Sequence, residues 1–188
     1  MKALTLLAST ALASAACLTL APEAVASIRN PTDHPQYRAE LEPHLNTIFW
    51  RYQYAGAPSG RRFRSFGDPE FGAGFRASIE LADPAFIPKL NNTVAISFGV
   101  DLTNCRYCRE DFWAWVPVTL QWNFFFNDKW SAFGDVGLVM RNDGFFRDVY
   151  LDPAFMLGGR YHFNDDIALT LRAGLPFVTF GVSFFVGR

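Results

Sequence analysis

Chemistry in this chain would have to come from a small set of side chains. The sequence holds three histidines, His34, His44 and His162, and three cysteines, Cys17, Cys105 and Cys108. A hydrolytic site needs a nucleophile, a base and an orienting acid within hydrogen-bond reach. His162 and Ser131 fall on strand-like segments near the same end of the molecule, but no recognisable motif sets an acid beside them. Pairs of this kind arise easily by chance, so they read as part of a polar interior, and no catalytic residue is assigned. Cys105-Arg-Tyr-Cys108 has a spacing used by zinc and redox sites. Zinc would want a second ligand pair, and thioredoxin-like chemistry a βαβ setting; the sequence supplies neither. In an exported protein the pair reads as a candidate disulfide that staples a loop, with no metal and no cofactor expected. A firmer meaning attaches to charges that recur on one face of alternating segments: Arg51, Arg76, Glu80, Asp101, Asp135, Arg160, His162 and Arg172.

Those charges are positioned by strands. Little of the chain has helical periodicity, while period-two alternation recurs throughout. In the clearest stretch Val116, Val118, Leu120, Trp122, Phe124 and Phe126 share a face, opposite Pro117, Thr119, Gln121 and Asn123. Asn127-Asp128 then turns the chain, and Trp130 to Met140 resumes the pattern. Asn164-Asp165 separates two further alternating runs, a hairpin signal. The last run places Val178, Phe180, Val182, Phe184 and Val186 on the apolar face. Upstream, alternation over 94–102, 73–81 and 47–54 completes a count of eight strands, with 47–54 as the first. Each is near the roughly 9–11 residues a tilted strand needs to cross a bilayer.

One apolar and one polar face also suits a soluble sandwich or a lipocalin-like barrel. The charges decide between them. Several unpaired ions in a soluble core would cost several kcal/mol each. In a narrow membrane barrel the same residues point inward, where they pair or meet water, and the apolar face meets lipid. Val116, Val118, Leu120, Trp122, Phe124, Phe180, Val182 and Phe184 are therefore expected to face lipid. The fold expected is an all-β, eight-stranded, antiparallel up-and-down transmembrane barrel.

Composition and the N-terminus agree. Half of the 188 residues are hydrophobic, 16% are aromatic and only 19% are charged, which excludes a disordered chain. A formal net charge of −1 offers nothing to nucleic acid. Met1-Lys2, the Ala- and Leu-rich stretch to Leu20 and the small-x-small Ala24-Val25-Ala26 have the order of a secretory signal. Ser14-Ala15-Ala16-Cys17 is a poor match to a lipoprotein signal, because Ser14 stands where a Leu-like residue belongs. The expected organisation is a signal peptide at 1–26, a periplasmic lead-in or short plug at 27–45, and an outer-membrane barrel at 46–188.

Pattern, strand count and signal peptide together make residues 46 to 186 resemble small eight-stranded bacterial outer-membrane barrels of the OmpA and OmpX type. Thr179 to Val186 is similar to the terminal strand that barrel-assembly machinery recognises in that group, although here the chain continues to Gly187-Arg188. The resemblance implies export to the bacterial outer membrane and contact with its lipid and lipopolysaccharide. It also implies partnership with the assembly machinery. An extracellular ligand is not specified. The function expected is non-enzymatic, structural or surface-interacting, with a lumen plugged by charge. A lipid-modifying enzyme, a small-solute channel and a soluble lipocalin-like carrier stand as alternatives.

Overall fold

A computed structural model describes residues 28–48, 51–52, 63–64, 69–83, 86–104, 112–143 and 147–187. Eight strands form a closed barrel: β1 Ala39–Ile48, β2 Glu70–Ala82, β3 Asn92–Asn104, β4 Phe112–Phe125, β5 Trp130–Asp143, β6 Arg147–Asn164, β7 Ile167–Leu175 and β8 Val178–Val186. Each strand pairs antiparallel with its chain neighbours, and β1 closes the ring against β8, with Ala39 opposite Val186 and Thr47 opposite Val178. Closure removes the open edges that a flat sheet of this composition would present.

Local chemistry explains the hairpins. Asn127 Oδ1 accepts the backbone N–H of Lys129 (2.9 Å) and of Trp130 (2.8 Å). Asn164 Oδ1 does the same for Asp166 and Ile167, both at 2.9 Å. An Asn side chain that mimics a backbone turn is why both sites reverse the chain so tightly. These turns, the start of β1 and the end of β8 lie at one end of the barrel, here the turn end. The connections after β1, β3, β5 and β7 lie at the other, the loop end. There β5 and β6 stay paired as far as Asp143 and Arg147, whereas the β6–β7 ladder stops at Phe155 and Leu175. The β5–β6 hairpin therefore reaches past the β7–β8 turn.

Faces alternate as expected. Leu120 is 48% exposed on the outside, while Gln121 beside it is wholly buried. Val118, Val136, Leu138, Phe155, Leu157, Leu171, Phe180 and Phe184 continue the exposed apolar belt. Val116, Trp122, Phe124 and Val182 share that outer face and are half-buried among their neighbours. Trp130 and Tyr161 (ring centroids 5.0 Å apart), followed by Phe163, form an aromatic group at the turn end.

The first strand differs from the reading of 47–54. It runs Ala39–Ile48, so seven residues assigned to the lead-in belong to the barrel wall. Pro43 hid it. That residue faces outward opposite Phe75, and the β1–β8 ladder is interrupted at Glu42–Pro43. A proline has no N–H to give to a ladder, and the interruption accommodates that lack. Arg51 consequently lies off the barrel, in a two-residue ladder in which Arg51 faces Arg64 and Tyr52 faces Phe63. Cys105 and Cys108 lie outside the described residues, as does the signal sequence.

Candidate functional site: the charged lumen

The polar inward residues of β1 are Glu40, Glu42, His44 and Asn46, all buried. They face the inward arginines of β2, β6 and β7 across the bore and build three tiers.

Nearest the turn end, Arg160 grips Glu40 with two parallel bonds, Nε to Oε1 at 2.9 Å and Nη2 to Oε2 at 2.7 Å. Its third nitrogen donates to Asn123 Oδ1 at 2.9 Å. In the middle, Arg172 holds Glu42 through Nη1 (3.3 Å) and Nη2 (3.0 Å), and its Nε lies 2.9 Å from Asp135 Oδ2. Such forked pairs between guanidinium and carboxylate are among the stronger protein hydrogen bonds. The Gln121 amide, oriented so that its oxygen faces the cations, accepts from Arg160 (3.2 Å) and Arg172 (3.1 Å) and donates to Ser78 (3.3 Å). Phe133 lies beneath both guanidinium groups, 4.0 Å from that of Arg160 and 4.7 Å from that of Arg172. In the third tier Asp101 Oδ1 lies 2.6 Å from His44 Nε2 and accepts from Asn46 Nδ2 (2.8 Å), and Arg76 approaches its other oxygen at 3.6 Å. Arg76 also points two nitrogens at the Met156 sulfur, each at 3.8 Å.

Apolar clusters cap the tiers. At the loop end Ile48, Trp115, Val139, Ala154, Met156 and Phe177 pack together. At the turn end the cluster is Tyr37, Phe125, Ala168 and Phe185. The segment before β1 folds onto this end. Asn91 N–H donates to Ile28 O (2.8 Å), Asn91 Nδ2 donates to Asp33 O (2.6 Å), and the His34 ring stacks on Phe125 at 4.2 Å. Burial, with Glu40 nearby, pushes the Tyr37 phenol well above its ordinary range, so this cap stays uncharged.

Of the residues expected inside, Arg76, Asp101, Asp135, Arg160, His162 and Arg172 are buried in the bore. Glu80 lies at the turn-end rim, only partly buried. Arg51 belongs to the separate two-stranded ladder rather than to a barrel strand. Glu40, Glu42 and His44 fall in the 27–45 segment expected as lead-in, and Asn46 just before the expected 47–54 strand, so the expected lumen set lacks all four. The signal was there: their even spacing is the same alternation that marks the other strands.

Ser131 Oγ and His162 Nε2 do meet, at 2.9 Å. Both are buried, and His162 is stacked on Phe185 with centroids 5.3 Å apart. Its Nδ1 has no hydrogen-bond partner among the described residues, so nothing there orients the ring as a catalytic acid would. The contact is buried inside the barrel, away from its outer face.

Space for Phe133 depends on Gly158. A Cβ there would collide with the Phe133 ring. Gly158→Leu should push that ring off the guanidinium groups and cost about 1–3 kcal/mol by overpacking. Denaturant titration of the lipid-embedded protein measures this; an unchanged midpoint would show that Phe133 has room to move.

Charge within and hydrocarbon without, on a closed eight-stranded antiparallel ring, is the architecture of a small transmembrane β-barrel. The chain matches no family model and no curated protein. Among solved structures it is similar to the Yersinia pestis outer membrane protein Ail, determined in a phospholipid bilayer nanodisc. The two are 10% identical over 79% of this chain and 99% of that one, with a TM-score of 0.48.

Proposed function

We propose that this chain is a non-enzymatic integral outer-membrane protein whose wall and loops serve a structural or surface-interaction role, its bore being plugged. The observation that carries this reading is the filling of the lumen. Arginine–carboxylate pairs in three tiers occupy the middle, and an apolar cluster closes each end. An eight-stranded barrel is only wide enough for side chains to fill, which supports this reading. Conduction would require breaking buried ion pairs, because ions pass only where sites bind them weakly enough to let go. Such a barrel presents its lipid-facing wall to the membrane and its loop end to the exterior, where lipopolysaccharide is the adjoining chemistry. The secretory signal and the terminal strand β8 support export and delivery to the barrel-assembly machinery.

Two measurements test this. The native protein should fractionate with outer membranes and show heat-modifiable mobility on a gel. Purified and placed in planar bilayers, it should give brief, small openings at most. Steady, large conductance would move the channel reading to first place. Acyl transfer or hydrolysis on membrane lipid that disappears in His162→Ala would instead favour an enzyme.

A further inference from the structure

We propose that the outer wall binds one phospholipid acyl chain, in a groove that runs over β5 in the turn-end half of the barrel. The inference rests on the outer-membrane reading above. Short turns mark the periplasmic end of such barrels, so the leaflet around this half is the phospholipid one.

The floor of the groove is made by small side chains. The outward positions of β5 run Trp130, Ala132, Gly134, Val136, with the two small residues set between larger ones. Gly134 lies between Trp122 of β4 and Leu157 of β6, and Ala132 lies between Phe124 and Gly159. Packing does not demand the glycine. Among the described residues, a Cβ on Gly134 would meet Leu157 Cδ2 alone, at 3.5 Å, an ordinary contact. One on Gly72, Gly99, Gly137 or Gly174 would strike the backbone of the neighbouring strand.

The sides are fixed by a polar anchor. The Trp122 indole N–H donates to Asn92 Oδ1 at 2.9 Å, and Phe124 packs against the indole with centroids 4.9 Å apart. The same Asn92 donates to Ile87 O (2.8 Å) and Leu90 O (2.7 Å), which ties the β2–β3 connection to that indole. This connection is longer than a tight periplasmic turn. It sets Phe86 edge-on against Trp122, centroids 5.4 Å apart, as an overhang. Phe86 is otherwise 73% exposed, so its ring serves the outer wall and no core. With Phe155 and Leu157 on the far side, the groove measures about 450 Å³ and its lining is almost wholly apolar. Sites for single small ligands span about 300–1,000 Å³.

The position selects the occupant. Inside hydrocarbon, apolar surfaces meet no water, and association is decided by van der Waals contact and lipid order. A flexible chain lying in the groove touches its floor and both sides, whereas on the convex wall elsewhere it touches one. A second copy fits poorly, because a two-fold contact sets the hollow against itself. Beyond the groove, Lys89, Asp128 and Lys129 are exposed on the two connections that border it. A headgroup of phosphate and amine finds a counter-charge for each part there.

The test labels the wall from the lipid side. The purified protein is placed in phosphatidylethanolamine–phosphatidylglycerol vesicles in which the phosphatidylethanolamine carries a diazirine on its acyl chain, and crosslinks are mapped by peptide mass spectrometry. Label on 120–136 and 155–157 should exceed label on the outer face of β8, at Phe180, Val182 and Phe184, several-fold. Filling the floor with Ala132→Leu and Gly134→Leu should bring it down to the β8 level, with heat-modifiable mobility unchanged. Should that double variant not fold, Phe86→Ala removes the overhang without touching a strand and should lower the groove label in the same way. An even spread of label over the wild-type wall would overturn the proposal. So would groove label that survives in the folded variant, or crosslinks there to a second copy in place of lipid. Label missing from β8 as well as from the groove would overturn the transmembrane reading itself, and the site with it.

Discussion

Arg172→Met should destabilise the barrel by about 3–5 kcal/mol, the effect of removing one partner from a buried ion pair. Arg172 holds two carboxylates at once. Arg172 is wholly buried, forked onto Glu42, and 2.9 Å from Asp135. Methionine keeps much of the stem and its contact with Phe133, so packing changes little and charge changes completely. Glu42 and Asp135 are then left facing each other across the vacated position. Urea titrations in lipid vesicles should show the loss as an earlier midpoint with an unchanged slope. Adding Glu42→Gln and Asp135→Asn to the same chain should restore much of it, because neutral amides tolerate the missing cation. Equal loss in the single and the triple variant would mean that the effect was packing after all. Asp135→Ala should fall between: Arg172 keeps Glu42, so a partner remains. In planar bilayers Asp135→Ala should change stability more than ion flow, since both apolar caps stay in place.

How much of this could be read in the sequence differs between wall and lumen. The wall was legible wherever alternation was long and undisturbed. Residues 116–126 and 130–140 announce β4 and β5, and Asn127 and Asn164 mark hairpins because their side chains close turns. Alternation is a local property, so it survives without knowledge of the fold. β1 was misplaced because Pro43 and a run of inward Glu, His and Asn look like a polar lead-in until a partner strand is known. The lumen is the opposite case. Which residues point inward follows from parity, but which arginine meets which carboxylate depends on the register of closure. Arg160 and Glu40 are 120 residues apart, and Arg172 and Glu42 are 130 apart. No local rule links them. The Gln121 position shows the consequence. By parity alone Gln121→Arg is a mild inward change, less harmful than Leu120→Arg. With Arg160 and Arg172 both within 3.2 Å of its oxygen, a third guanidinium there would meet two others. That substitution cannot serve as the harmless control.

A depth series of arginines along the outside of β4 avoids that difficulty and tests inside against outside. Leu120 is opposite Ile96 on β3 and Val136 on β5, well inside the apolar belt. Leu120→Arg should cost about 2–4 kcal/mol, the range for a basic side chain at the bilayer midplane of such a barrel. Phe124 is four residues nearer the turn end, two beyond Trp122 and close to the aromatic group formed by Trp130 and Tyr161. An arginine there can reach the headgroups, so its charge penalty should drop toward about 0–1 kcal/mol. Loss of the phenylalanine ring is a separate contribution, and Phe124→Gln measures it. The signature is the shape of the profile rather than any one value. In a soluble carrier the outer face would meet water, where an exposed leucine replaced by arginine costs little at any depth. If instead the apolar face were turned inward and the charges outward, an arginine would be buried among apolar side chains wherever it was placed, and the cost would be high at every depth. Only a lipid-facing wall makes the penalty rise at the centre of the strand and fall at its ends. Folding titrations of the series in vesicles should give that peak, and a flat profile would contradict the orientation on which the proposed plug depends.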